Sequence, residues 1–138
     1  FGIEVNGKNG ENGTYYYFLE ADCSTMPVRR SNLRRSSFYK KLVGYWETWQ
    51  QTDDKGRSGA VLESQFGFSR FRVITLTKSK ERAKTIIEAN QELDSRGKGM
   101  RMFLFAPAYA FSLNQPEEVL EKGIWLNGRD EPDSLLID

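Results

Sequence analysis

An uninterrupted run of aromatic and apolar residues at positions 15–19, YYYFL, constrains the fold more than any other part of the sequence. A short apolar run that is rich in aromatic residues is typical of a strand buried on both faces. Acidic residues end the run, and a basic segment with a long helical pattern follows. The sequence therefore predicts a buried strand over residues 14–21 and a long helix after it.

Two acidic residues, Glu20 and Asp22, close the predicted strand. Because side chains alternate between the faces of a strand, these two acids share one face and Ala21 lies on the other. Carboxylates so close together repel each other unless a cation lies between them, and a divalent cation with oxygen ligands is a common partner. The pair therefore indicates a site for a divalent cation. Two alternatives stay open: the acids are solvated, or nearby arginines pair with them.

A basic cluster follows the two acids, and no acidic residue lies between Asp22 and Glu47. Its members are Arg29, Arg30, Arg34, Arg35, Lys40 and Lys41. An uncompensated basic cluster beside aromatic residues favours phosphate contact. We therefore expect DNA as a partner, bound mainly through its backbone, because the sequence shows no base-reading motif. A solvated helix face with ordinary salt bridges is the alternative.

The helix after the acids is predicted to begin at Ser31 or Asn32, either of which can be an N-cap, and to end near Gln51. Large apolar side chains recur along it at spacings of three and four: Phe38, Leu42, Tyr45, Trp46 and Trp49. This spacing favours a core position for the aromatic residues over a base-stacking platform. A mid-helix glycine costs about 1 kcal/mol relative to alanine, so Gly44 predicts close packing.

The remaining segments predict a mixed sheet with helices. Residues 1–5 and 14–21 flank a turn rich in Asn and Gly, which predicts an antiparallel hairpin. Further strands are expected over 71–77, 100–106 and 124–126, helices over 79–94 and 116–122, and a mobile loop over 52–64. The order β-β-α-β-α-β implies an α/β fold.

Composition limits the function classes. The chain has 138 residues and a net charge of +1, so we expect one domain over 1–138 whose affinity for nucleic acid depends on local clustering. The absence of histidine excludes His-based triads, His general bases and HExxH zinc sites. A single cysteine allows no intrachain disulfide, which fits a cytoplasmic protein. No apolar run predicts a membrane span or a signal peptide.

Several motifs resemble the replication-relaxation family, a group of bacterial proteins often carried by plasmids or mobile elements. That family's pattern is a Pro-Asp, a strand ending in Glu-x-Asp-Arg-Gly-Thr, and a helix with Lys-Leu-x-x-Tyr. The similar segments are FLEAD at 18–22 with Thr25, SFYKKL at 37–42 with Tyr45, FRVITLT at 71–77 with Ser79 and Arg82, FLFA at 103–106, and Trp125 with Leu126. The likeness spans most of the chain.

This resemblance implies a restriction-endonuclease-like fold, similar to the PD-(D/E)XK nucleases. It implies DNA processing or DNA binding in plasmid replication or mobilisation. Catalytic roles would fall to Glu20, Asp22 and Lys41: the acids hold Mg²⁺ or Mn²⁺, which activates water, and Lys41 contacts phosphate or orients that water. The alternatives are a non-catalytic DNA-binding module of the same fold and a protein-interaction domain.

Two departures from the family pattern affect the predicted site. The Pro-Asp would lie before Phe1, so we expect upstream residues in the native protein to supply the missing carboxylate; without such residues the metal site is incomplete. The family's Asp-Arg-Gly-Thr is Asp22, Cys23, Ser24 and Thr25 here, so an arginine that could contact phosphate is lost.

Overall fold

A six-stranded mixed sheet organises the structure. The computed structural model describes residues 2–6, 12–32, 36–53, 55–57, 59–112, 114–121 and 123–136. The strands are β1 (Gly2–Asn6), β2 (Asn12–Asp22), β3 (Arg72–Thr77), β4 (Phe103–Pro107), β5 (Trp125–Asn127) and β6 (Pro132–Asp133). They lie in the sheet in chain order, with β2, β3 and β4 parallel and the other neighbours antiparallel. The predicted α/β fold with a mixed sheet and an amino-terminal hairpin is confirmed.

Within the described residues, four α-helices connect the strands, and a 3-10 helix spans Ala108–Ala110. The α-helices are α1 (Phe38–Gln50), α2 (Ala60–Phe66), α3 (Lys80–Leu93) and α4 (Glu118–Glu121). Helices α1 and α2 lie between β2 and β3, and α3 lies between β3 and β4. The structure adds α2 and β6 to the predicted elements, and its sequential strand order does not confirm the restriction-endonuclease-like arrangement.

The first helix begins later than predicted. Ser31 and Asn32 are not helical, and α1 begins at Phe38 with Ser37 as its N-cap. The Ser37 hydroxyl accepts a hydrogen bond from the backbone N–H of Lys40 at 3.2 Å. Upstream, the carbonyls of Pro27 and Val28 accept the N–H groups of Phe38 and Tyr39 at 3.0 and 2.9 Å. Tertiary contacts of the preceding segment therefore select Ser37 over the earlier capping candidates.

The predicted mobile loop over 52–64 is partly wrong, because its second half forms α2. Leu62 is 3 % exposed and belongs to the core, so one apolar anchor orders the helix. Gly59, immediately before α2, has a φ of +79° and lies so close to Ser69 that a Cβ would be 2.2 Å from the Ser69 carbonyl oxygen. Only glycine meets both conditions, since it lacks a Cβ.

One face of the sheet is covered by α1, α2 and α3. Connections between neighbouring parallel strands that progress in one direction place their helices on one side, because such crossovers are right-handed. The helix-covered core holds Phe38 and Leu42 of α1, Leu62 of α2, and Ala83, Ile86 and Ile87 of α3. The aromatic stripe Tyr45, Trp46 and Trp49 is partly buried against it, as its spacing predicts.

The opposite face has a smaller core made of Tyr17, Ile74, Leu104, Ala106, Trp125 and Leu135. The Tyr17 hydroxyl donates a hydrogen bond to the Leu135 carbonyl. This cover stops short of Leu19, which is 54 % exposed. The expectation that β2 is covered on both faces is therefore wrong at Leu19. Helices α1, α2 and α3 all pack on the other face of the sheet.

Glycines occupy two contrasting environments. Gly44 in α1 is exposed, and a Cβ there would meet nothing within 4 Å, so the predicted close packing is wrong. Gly128, by contrast, lies in a turn where a Cβ would be 2.3 Å from both Asn90 Oδ1 and the Met100 carbonyl oxygen. Gly99 faces the same turn, with a φ of +83°. The tight packing is therefore between turns and not along α1.

Candidate functional site

Glu20 and Asp22 both face the helix-covered side of β2, near its carboxyl end. Glu20 contacts α1 and Asp22 contacts α3. The strand register places Glu20 beside Thr75 and Asp22 beside Thr77 on the neighbouring strand β3. The Thr75 hydroxyl is buried and has no hydrogen-bond partner among the described residues. The cluster therefore combines two acids and two hydroxyl groups at the ends of parallel strands.

Glu20 uses both carboxylate oxygens. Lys41 Nζ lies 2.5 Å from Oε2, and the Tyr45 hydroxyl donates to Oε1 at 2.7 Å. The Glu20 side chain is 17 % exposed, whereas that of Lys41 is 40 % exposed. Burial, together with the hydrogen bond to Glu20 and its charge, raises the pKa of Tyr45 above its ordinary value. Tyr45 therefore stays protonated and acts as a donor to the carboxylate.

Asp22 is held by an arginine. Arg82 Nε donates to Oδ2 at 2.7 Å, and Nη2 donates to Oδ1 at 2.9 Å. Nη2 also contacts the Met26 carbonyl oxygen at 2.5 Å. The side chains of Asp22 and Arg82 are 3 % and 16 % exposed. Such a bidentate pair fixes the geometry of both groups.

The sequence left three interpretations of these acids open, and the structure shows basic partners for both. Each acid carries its own cation, Lys41 or Arg82, within hydrogen-bond distance. Across the described part of the chain, no group of three or more His, Cys, Asp or Glu side chains is placed to hold a metal ion. A divalent ion at Glu20 and Asp22 would therefore have to displace these cations.

The described members of the predicted basic cluster have different surroundings. Arg29 is paired with Glu92, with Nη2 to Oε1 at 2.6 Å, and Arg30 donates from Nε to the Ser36 carbonyl at 2.9 Å. Lys40 is exposed, and Lys41 is bound to Glu20. The two remaining members, Arg34 and Arg35, lie outside the described residues.

Two lysines that were not predicted as site residues lie at the same end of the sheet. Lys78 directly follows Thr77, which is in register with Asp22, and Lys80 is the first residue of α3. Both are exposed, and neither forms a salt bridge within the described residues. The available signal was the Lys-Ser-Lys directly after a predicted strand, because residues that follow neighbouring parallel strands meet at one edge of the sheet.

None of the described helices has the length and the apolar character that a membrane crossing requires. In comparisons with known proteins, no family model, no curated protein and no solved structure matches this chain.

Proposed function

We propose that the chain binds DNA through its sugar-phosphate backbone, with Glu20 and Asp22 holding Lys41 and Arg82 in place. The observation that carries this proposal is a group of exposed lysines beside two acids that are already neutralised by their own cations. The neighbouring Lys40, Lys78 and Lys80 are exposed at the same end of the sheet. Local positive charge of this kind suits phosphate groups.

Two helix amino termini strengthen the attraction for phosphate. Lys41 is the fourth residue of α1 and Arg82 the third residue of α3, so both helices begin beside the end of β2. A helix amino terminus carries a partial positive charge of about 0.5 elementary charge. The contribution of the termini is limited to this partial charge, because N–H groups in the first turn of each helix are already bonded, as those of Phe38 to Pro27 and of Arg82 to Ser79 show.

The proposed binding is independent of DNA sequence. Lysines contact phosphates as point charges, and such contacts fix position without reading bases. The resemblance to replication-relaxation proteins supports a place in plasmid replication or mobilisation. It also supports a relationship of the sheet to restriction-endonuclease-like folds, which stays part of the proposal.

The proposal is tested by measuring duplex affinity as a function of salt for the parent, for Lys78→Ala/Lys80→Ala, and for the control Lys55→Ala/Lys98→Ala. The control removes the same charge from exposed positions elsewhere. We expect binding at low salt that falls steeply with salt. A plot of the logarithm of the binding constant against the logarithm of the salt concentration should become shallower by about 0.9 for each phosphate contact that is lost. Absent binding by the parent at low salt, or equal losses in the two variants, would overturn the proposal.

Metal-dependent cleavage is the second candidate, and one observation favours it. Glu20, Asp22 and Lys41 lie together at the end of β2, as the resemblance implies for catalytic residues. Cleavage requires Mg²⁺ or Mn²⁺ to bind in competition with Lys41 and Arg82. Calorimetric titration with Mn²⁺ of the parent and of Glu20→Gln separates the candidates. A heat of Mn²⁺ binding that only the parent shows, together with loss of DNA nicking in the variant, supports cleavage. Identical heats for the two proteins, without nicking by either, support the non-catalytic module.

A further inference from the structure

A pair of adjacent cavities lies at the opposite end of the sheet from the two acids. The first has a volume of about 470 Å³ and lies between the carboxyl-terminal parts of α1 and α3 and the turn at 99–102. The second, of about 560 Å³, lies beside the amino-terminal half of β2 and the start of β3. Both are lined by Trp49, Arg101 and Met102. These volumes are typical of small-molecule sites.

The apolar wall of the first cavity is aromatic. Trp46 and Trp49 stack with ring centroids 5.4 Å apart and an interplanar angle of 12°. Met100 and Met102 are buried beside them and complete the wall. A planar ring packs well against such a surface, because stacked aromatic rings and sulfur–aromatic contacts are both favourable.

The rim of the first cavity carries an excess of positive charge. It contains Arg96, Arg101 and Arg129 but a single acid, Asp94, which pairs with Arg96 at 3.7 Å. Arg129 Nε donates to the Gly99 carbonyl at 3.2 Å, and Arg129 forms no salt bridge within the described residues. The pair of Arg101 with Glu131 is exposed on both sides, so it competes weakly with a ligand. Guanidinium groups bind phosphate in a bidentate manner.

The turn that carries Arg129 is fixed before any ligand binds. Asn127 is fully buried, and its Oδ1 accepts the backbone N–H groups of Arg129 at 2.8 Å and Glu131 at 3.3 Å. Its Nδ2 donates to Glu131 and to Asp133 at 3.3 and 3.1 Å. Arg129 is therefore presented by a rigid turn, which lowers the entropy lost on binding.

We propose that the first cavity binds a nucleotide, with the base against Trp46 and Trp49 and the phosphate at Arg129 and Arg101. The base must be unstacked to enter, so the source is a free nucleotide or one unit of a single strand. Tyr16 and Arg70 line the second cavity, which offers the same combination of ring and cation to an adjoining nucleotide. This site is distinct from the proposed duplex-binding end of the sheet and does not depend on it.

Tryptophan fluorescence tests the proposal directly. Trp46 and Trp49 line the cavity, whereas Trp125, which completes the three tryptophans, is 1 % exposed in the opposite core. The probes are thymidine, thymidine monophosphate and an oligothymidylate of about eight nucleotides. We expect quenching by both phosphate-bearing probes and at least tenfold weaker binding of thymidine. Equal affinities for the monophosphate and the oligomer would identify a free nucleotide, and tighter oligomer binding a single strand.

Matched variants assign the phosphate contact. Arg129→Gln is expected to weaken the binding of thymidine monophosphate at least tenfold. Arg57 lies outside both cavities, so Arg57→Gln should leave this affinity unchanged. If Arg129→Gln does not fold, Arg101→Gln at a 65 % exposed side chain carries the same test. Lys78→Ala/Lys80→Ala should not alter these titrations, so this test is independent of the duplex proposal. The absence of quenching, equal affinity for thymidine and its monophosphate, or equal loss in Arg57→Gln would overturn the proposal.

Discussion

Arg82 binds Asp22 through two hydrogen bonds that join residues 60 positions apart in the chain. The Asp22 side chain is 3 % exposed, so water screens its charge little and Arg82 supplies the opposite charge. The pair ties the end of β2 to the first turn of α3. Removing one partner leaves an uncompensated buried charge, which is far more costly than losing an exposed pair.

Arg82→Ala is accordingly expected to lower the free energy of unfolding by about 3–5 kcal/mol. Urea denaturation of parent and variant measures this change. The matched control is Arg29→Ala, which breaks a bidentate pair with Glu92 whose side chains are 40 % and 58 % exposed. That change should cost at most about 1 kcal/mol. Equal losses in the two variants would show that burial of the Asp22 pair contributes nothing.

Substitutions at three glycines distinguish the cost of steric overlap from the cost of backbone strain. Gly128→Ala is expected to destabilise the fold by about 1–3 kcal/mol, because the new Cβ overlaps Asn90 and Met100. Gly97 has a φ of +67° in open space, so Gly97→Ala should cost about 1–2 kcal/mol through strain alone. Gly44→Ala should instead stabilise α1 by up to about 1 kcal/mol. Thermal or urea unfolding gives all three values, and a destabilised Gly44→Ala protein would contradict the open environment found there.

Sequence periodicity predicted the local structure well where neighbours in the chain decide it. The shared face of Glu20 and Asp22 follows from alternation along one strand, and Ser79 caps α3 close to the predicted start because it lies two residues after the end of β3. The start of α1 could not be predicted, because long-range contacts at Pro27 and Val28 choose among several capping residues. Helix α2 could not be predicted either, because its burial depends on one side chain, that of Leu62.

The composition of the site was less predictable than its location. The pairing of Asp22 with Arg82 could not be predicted, because the two residues are far apart in the sequence. No local pattern in the sequence indicates the register between distant parallel strands. Tyr45 followed the predicted apolar spacing, yet its hydroxyl binds Glu20. An aromatic stripe predicts burial of a ring and says nothing about the partner of its polar tip.

Exposure differs sharply between two neighbours on the smaller core's face of the sheet. Leu19 and Ile74 are in register on adjacent strands, but they are 54 % and 5 % exposed. Ile74→Ala should lower the free energy of unfolding by about 2–5 kcal/mol through lost burial and a cavity. Leu19→Ala should change it by less than about 0.5 kcal/mol. Chemical denaturation measures both, and a comparable loss at Leu19 would mean that its side chain is covered in solution.

Acid stability should depend on Asp133. Burial acts to raise its pKa, but the Asn127 hydrogen bond, the Arg72 charge and the Ser134 N–H outweigh burial and lower the pKa below its ordinary value. A carboxyl group with a lowered pKa stabilises the fold above its unfolded pKa of about 3.9. This contribution is lost as the pH falls through the lower folded value.

The stability advantage of the parent over Asp133→Asn should therefore be constant near neutral pH and shrink below about pH 4. Urea unfolding at several pH values measures it. Asp130→Asn removes an exposed carboxylate from the adjoining turn and provides the comparison. An advantage of the parent that stays the same at acid pH would refute the assigned role of Asp133.

The two halves of β2 have different partners, and this division bears on local opening of the molecule. Residues 12–16 pair with β1, whereas the register with β3 runs from Tyr17 to Asp22. One continuous strand therefore crosses from a local hairpin into the long-range parallel sheet. Local opening can release the hairpin without breaking the parallel ladder. Native-state hydrogen exchange should then divide the amides of β2 near Tyr16 and Tyr17, with fast exchange before that point and protection close to global unfolding after it.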